Sequence, residues 1–225
     1  MTLIEPVKHE DAGYTKAKSY SATLRLWHWA NLIVISGSLI TVLINSTLTN
    51  KHANAKLIKA EFAQSGVTVS DGQARSVAHA LGDKTWEIHT YFGYGLAALF
   101  LFRLILEFFQ VADQKLIRKL KMAYAQFNTI KKNRELARHD ITVKFIYLLF
   151  YGVLAVMVIT GLFLAFEDLL APYKAIRHSV KEVHGFCMYL VLAFIAVHLI
   201  GVFLAERKEG KGIVSDMING GAVNQ

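Results

Sequence analysis

Two histidines in one uncharged apolar run, His184 and His198, are the residues of this chain best suited to chemistry, and they stand 14 residues apart. At 3.6 residues per turn that is close to four turns, so both imidazoles share one face, about 21 Å apart along the axis. A helix crossing a hydrocarbon core of about 30 Å carries one of them near each surface. Two further histidines, His28 and His89, open other apolar runs. Polar side chains in lipid are costly and are kept where they serve a function. An imidazole binds a metal through one nitrogen while the other donates a hydrogen bond that fixes the tautomer. Two histidines facing each other across a bundle therefore make a suitable axial ligand set for a haem iron, and with both axial positions filled such a centre transfers electrons instead of handling oxygen. A single histidine in a spanning helix is equally well read as an interhelical hydrogen bonder. Four at matched depths favour the metal reading.

The elements that must hold these histidines are four apolar segments at about 24–44, 86–109, 143–166 and 183–205, each near or above the roughly 20 residues that a spanning helix needs. The second is uncharged from His89 to Phe102 and then carries Arg103 and Glu107. The two prolines, Pro6 and Pro172, fall outside all four, and no segment alternates with a period of two. The expectation is an all-α polytopic membrane four-helix bundle forming a single domain over residues 1–225. An apolar content of 54% and a mean hydropathy of +0.35, gathered in blocks, agree with it.

The formal charge of +8 lies between those blocks, so it is read as an orientation signal and calls for no nucleic-acid partner. Lys8, Lys16, Lys18 and Arg25 precede the first segment, a dense run from Lys115 to Arg138 joins the second to the third, and Arg207, Lys208 and Lys211 follow the fourth. The smaller and partly neutralised basic sets fall on the other side. Both termini are thus expected to be cytoplasmic. With that orientation His28 and His198 share the cytoplasmic level and His89 and His184 the outer level, so the four can meet as two pairs. A single cysteine, Cys187, excludes an internal disulfide and a Cys-x-x-Cys-His attachment, so any haem is held without covalent bonds. The first 25 residues hold no secretory signal peptide pattern.

Other residues carry weaker signals. Gly37, Gly93, Gly161 and Gly201 would let a flat macrocycle approach the backbone, although glycine also serves plain helix contacts in membranes. Arg25 and Arg103 would pair with propionates of an inner haem or snorkel to lipid headgroups. Trp27, Trp29 and Trp86 sit where aromatic belts are expected, and Cys187 reads as a small core residue. His9, His52, His79, His139 and His178 read as solvated loop residues. The connection 45–85 reads as an external loop with short helices at 55–64 and from the Ser70-Asp71-Gly72 turn to residue 80, either solvated or a docking place for a partner.

Arg25-Leu26-Trp27-His28-Trp29, Trp86-Glu87-Ile88-His89 and the 14-residue His184/His198 pair resemble the prokaryotic cytochrome b561 family, which includes the b-type cytochrome subunits of membrane-bound nickel-iron hydrogenases. The resemblance implies two haem b groups with ligands from the first, second and fourth helices, and none from the third, which has no histidine within its apolar segment. It further implies a multi-pass protein of the bacterial inner membrane that passes electrons between an external redox subunit, such as an iron-sulfur protein, and quinone. The tail from Ile213 to Gly220 is similar to the ending of the hydrogenase cytochromes. A stand-alone oxidoreductase of the same fold, taking electrons from superoxide or another small molecule, and a haem-free anchor or a histidine-relay transporter are the alternative readings.

Overall fold

The computed structural model describes residues 21–109, 134–207 and 212–220. His9 and the basic stretches before residue 21 and from 110 to 133 lie outside the described residues, as do Lys208 and Lys211. The chain runs through α1 (Ala22–Thr47), α2 (Lys51–Gln64), α3 (Asp71–Phe109), α4 (Arg134–Ala165), a short 3-10 helix (Ala171–Ile176), α5 (Arg177–Arg207) and α6 (Ile213–Asn219). Helices are the only regular elements among the described residues. Helices α1, α3, α4 and α5 are long and apolar enough to cross a membrane, as the apolar blocks predict. The protein is a multi-pass membrane protein.

Each boundary has a local cause. Ser21 caps α1 by accepting from the Leu24 amide, and Asn50 caps α2 by accepting from the amides of His52 and Ala53. Ser70 and Gln73 form a reciprocal capping box, with the Gln73 amide donating to Ser70 Oγ and the Ser70 amide donating to Gln73 Oε1. That box starts α3 at Asp71, so residues 71–85 are no separate short helix: they continue the second spanning helix outward. Gly82 does not break it, and the backbone stays helical through that position. An added Cβ would lie 3.4 Å from both Asn45 Oδ1 and Lys51 Cε, where the end of α1 and the start of α2 press against α3.

The segment 45–85 is therefore a helical hairpin rather than a loop. Ala74 and Ala78 are fully buried on α3 and pack with Ala55, Ile58 and Val69 in a small core of their own. Lys59 pairs with Asp71, and Lys51 reaches His79 Nδ1 at 2.9 Å and Asp83 at 3.9 Å. His52, His79, His139 and His178, expected in loops, all lie on helices: α2 is a helix of its own, and α3, α4 and α5 extend beyond their apolar stretches.

Within the bundle α1 packs along α3, α3 along α4 and α4 along α5, while neither α1 nor α3 packs extensively on α5 among the described residues. Side chains bridge that interval. The face of α5 turned toward it reads His184, Cys187, Val191, Phe194 and His198, at helical spacings of three and four. Cys187 and Val191 are buried, as is Leu154 of α4, the helix packed along α5. At Gly37 the α1/α3 contact leaves no room for a side chain, since an added Cβ would fall within van der Waals overlap of the Phe92 ring. Gly37→Ala is therefore expected to lower stability by about 1–3 kcal/mol through overpacking, whereas Gly152→Ala, whose Cβ meets open space, is expected to be neutral. Thermal unfolding of the two variants in detergent, followed by circular dichroism, checks the difference.

Candidate metal centre

Four of the histidines singled out by type and spacing meet in two pairs. His89 of α3 faces His184 of α5 with ring centroids 6.4 Å apart and planes at 84°. His28 of α1 faces His198 of α5 at 6.2 Å and 61°. An imidazole nitrogen lies about 2 Å from a first-row metal that it binds, and about 1 Å from its own ring centre, so two imidazoles on opposite sides of one metal have centroids about 6 Å apart. Both separations have that value. Among the described residues no group of three or more histidine, cysteine, aspartate or glutamate side chains gathers. A metal held at either pair would draw two ligands from that pair and would need the rest of its coordination from another group. A planar tetradentate macrocycle fits that donor set.

At the first pair, His89 Nδ1 lies 3.0 Å from Thr41 Oγ1, 3.3 Å from the Ser38 carbonyl oxygen and 3.4 Å from Ser38 Oγ. The Thr41 hydroxyl donates its own proton to the Ser38 carbonyl at 2.6 Å. Across the bundle, His184 Nδ1 lies 2.9 Å from Thr160 Oγ1 of α4, and that hydroxyl donates to the Val156 carbonyl at 2.6 Å. A hydroxyl has one proton to give. With both threonine protons committed to the backbone, their oxygens can only accept, so Nδ1 of each histidine carries the hydrogen. Nε2 of each ring then keeps its lone pair for a metal. Gly161 makes room for this ring, since a Cβ there would lie 3.2 Å from His184 Cε1. Trp86 sits edge-on to His89 at 5.3 Å.

The second pair has aromatic neighbours instead. Trp29 lies edge-on to His28 at 5.5 Å, and Phe194 is nearly parallel to His198 at 5.8 Å and is itself stacked on Phe150 at 4.0 Å. Asn31, one turn beyond His28, is buried; its amide donates to the Trp27 carbonyl at 2.7 Å, while its Oδ1 has no partner among the described residues. The C-terminal helix closes this end of the bundle. Arg25 donates to the Ile218 carbonyl, and Trp29 Nε1 donates to the Met217 carbonyl at 3.2 Å. Glu206 in turn accepts from the amides of Gly212 and Ile213 and so caps α6.

The remaining predicted residues divide. Arg103 donates to Tyr151 Oη at 3.2 Å, lies 3.6 Å from Glu107 and sits over the Trp27 ring at 5.9 Å. Trp27 Nε1 donates to the Leu99 carbonyl at 2.9 Å. Gly93, one turn after His89, and Gly201, three residues after His198, border open space, whereas Gly37 is taken up by Phe92. Sequence reasoning passed over Ser38, Thr41 and Thr160, although hydroxyl residues inside apolar runs, one of them next to Gly161, were a visible signal. The third spanning helix of the bundle, α4, thus reaches the site through Thr160 without placing a histidine in it.

No curated protein and no solved structure gives a significant match to this chain. The family model described as prokaryotic cytochrome b561 matches residues 19–220, which span every spanning helix and α6. The chain therefore belongs to the prokaryotic cytochrome b561 family, and it is a membrane b-type cytochrome of electron transfer.

Proposed function

We propose that the protein is a dihaem cytochrome b that carries electrons across the bacterial inner membrane, from an external redox subunit to quinone. The observation that carries this reading is the pair of histidine pairs, each at the ring separation of two trans ligands on one metal. His89 and His184 hold the outer haem and His28 and His198 the inner one. Haem bound at each pair supplies a one-electron carrier whose potential its ligands and surroundings set. The two pairs share α5, which sets them on the order of 20 Å apart by the helix rise. Val191 and Phe194 fill the interval on that helix.

The chain's own residues do the rest. Gly93 and Gly201 leave room beside the ligands for a flat ring, and the interval between α5 and its neighbours α1 and α3 accommodates it. Arg25 and Arg103, both at the inner end, are the cations available to haem propionates, with Tyr151 and Glu107 orienting Arg103. Both termini face the cytoplasm in this reading, as the distribution of lysine and arginine supports. Quinone reduced at the inner end takes two electrons and two protons, the protons from the cytoplasm. The α2/α3 hairpin faces outward and is the first surface that an external donor, such as a hydrogenase-like iron-sulfur subunit, encounters.

The purified protein is expected to show a b-type alpha band in reduced-minus-oxidised spectra and two haems per chain; a protein without that band would sink the reading in favour of a haem-free anchor or a proton-relay transporter. Replacing His89 or His184 by alanine is expected to remove one haem, and replacing His28 or His198 the other. Spectra recorded at fixed potentials distinguish the two components, and losses in crossed combinations would refute the pairing.

A further inference from the structure

The two histidine pairs differ in what holds their second nitrogen. At the outer pair each Nδ1 hydrogen has an acceptor whose own proton is already committed: Thr41 Oγ1 at 3.0 Å for His89 and Thr160 Oγ1 at 2.9 Å for His184. The commitment is set by the helices, because each hydroxyl is bonded to a carbonyl of its own preceding turn, at 2.6 Å in both cases. At the inner pair, no hydrogen bond to His28 or His198 is made among the described residues. Their neighbours are the edge of Trp29 and the face of Phe194. A hydrogen bond donated by Nδ1 makes Nε2 a stronger electron donor to its metal. A stronger donor favours the more oxidised state of that metal, and so lowers its reduction potential.

We propose that Thr41 and Thr160 are positioning residues that set the centre held by His89 and His184 at the lower reduction potential of the two. This rests on the dihaem reading and adds to it a direction: an electron delivered at the outer centre runs downhill to the inner one. The two threonines act from opposite sides of the site, one on α1 and one on α4, so the centre is tuned through both of its ligands. It also gives α4, which has no ligand of its own, a defined part in the redox chemistry. Ser38, with its carbonyl 3.3 Å from His89 Nδ1, reinforces the Thr41 side. On the α4 side the Met157 carbonyl also accepts from His184, beside Thr160 Oγ1 at 2.9 Å, and Gly161 opens the space that the ring of His184 occupies.

The test is a potentiometric titration of the alpha bands of the purified full-length protein, comparing the native chain with Thr41→Val, Thr160→Val and Thr160→Ser. Valine keeps the shape and removes the acceptor, so each valine variant is expected to raise the midpoint of the low-potential component. One hydrogen bond lost corresponds to about a tenfold change in the redox equilibrium, or about 59 mV for one electron. Thr160→Ser restores the native midpoint, and the high-potential component stays in place throughout, reporting that the bundle is folded. Loss of the low-potential haem from Thr160→Val but not from Thr160→Ser supports the same role, since the hydroxyl then holds the ligand itself. Unchanged midpoints, a shift confined to the high-potential component, or a serine variant that behaves like valine overturns the proposal while leaving the two-haem reading intact. A native protein with fewer than two haems defeats that reading and this one with it.

Discussion

An imidazole inside a hydrocarbon layer has two nitrogens to place, and neither can be left to water. The arrangement of this bundle follows from that constraint. For His89 and His184 one nitrogen is placed by threonine hydroxyls, and the lone pair of the other is what remains to be filled. The helix backbone makes this possible. A threonine whose proton is drawn to a carbonyl of its own preceding turn is a fixed acceptor, whereas a freely rotating hydroxyl could serve either tautomer. Backbone hydrogen bonding, ligand tautomer and metal-binding competence are thus three links of one chain of causes.

Side chains, not close backbone contacts, join α5 to α1 and α3 among the described residues. Leu154, Cys187 and Val191 are buried at mid-depth, and Phe150 stacks on Phe194 just inward of them. On either side of this layer the rings bridge an interval that the helix backbones do not close. In a family of b-type cytochromes such an interval suits a rigid planar group, and a group bound to the folded chain alone would stabilise it as well as supply its chemistry.

Much of this was legible in the residues. Apolar blocks of spanning length predict the four membrane helices, and a 14-residue spacing puts two histidines on one face whatever surrounds them. The depth argument pairs the histidines correctly because helix direction alternates, which needs no side-chain detail. What was not legible depends on local competition. Ser70-Asp71-Gly72 reads as a turn because its polar residues and glycine outweigh the capping box that Ser70 forms with Gln73. Thr41 and Thr160 were visible as hydroxyls inside apolar runs but not specific, because such side chains satisfy themselves on their own helix, cost little in lipid and are therefore common there. Arg25 and Arg103 were read by charge alone, while the carbonyl of Ile218 and the phenol of Tyr151 that orient them come from distant parts of the chain.

The latch at the inner end bears on how the protein is made. Trp29 and Met217, joined by a hydrogen bond, are 188 positions apart, and Arg25 and Ile218 are 193 apart. Helix α1 is the first to leave the ribosome, and the partners that close around His28 are among the last residues synthesised. During translation His28 therefore sits in the membrane without His198 and without α6, while α1 can already pack on α3. The outer pair joins residues much nearer in sequence, and both of its helices are available before α6 exists. Since contacts between distant segments are generally the slowest to form, the inner site is the last part of the bundle to be completed. A chain cut short before residue 213 would carry all four histidines yet lack the clasp that ties its two ends together.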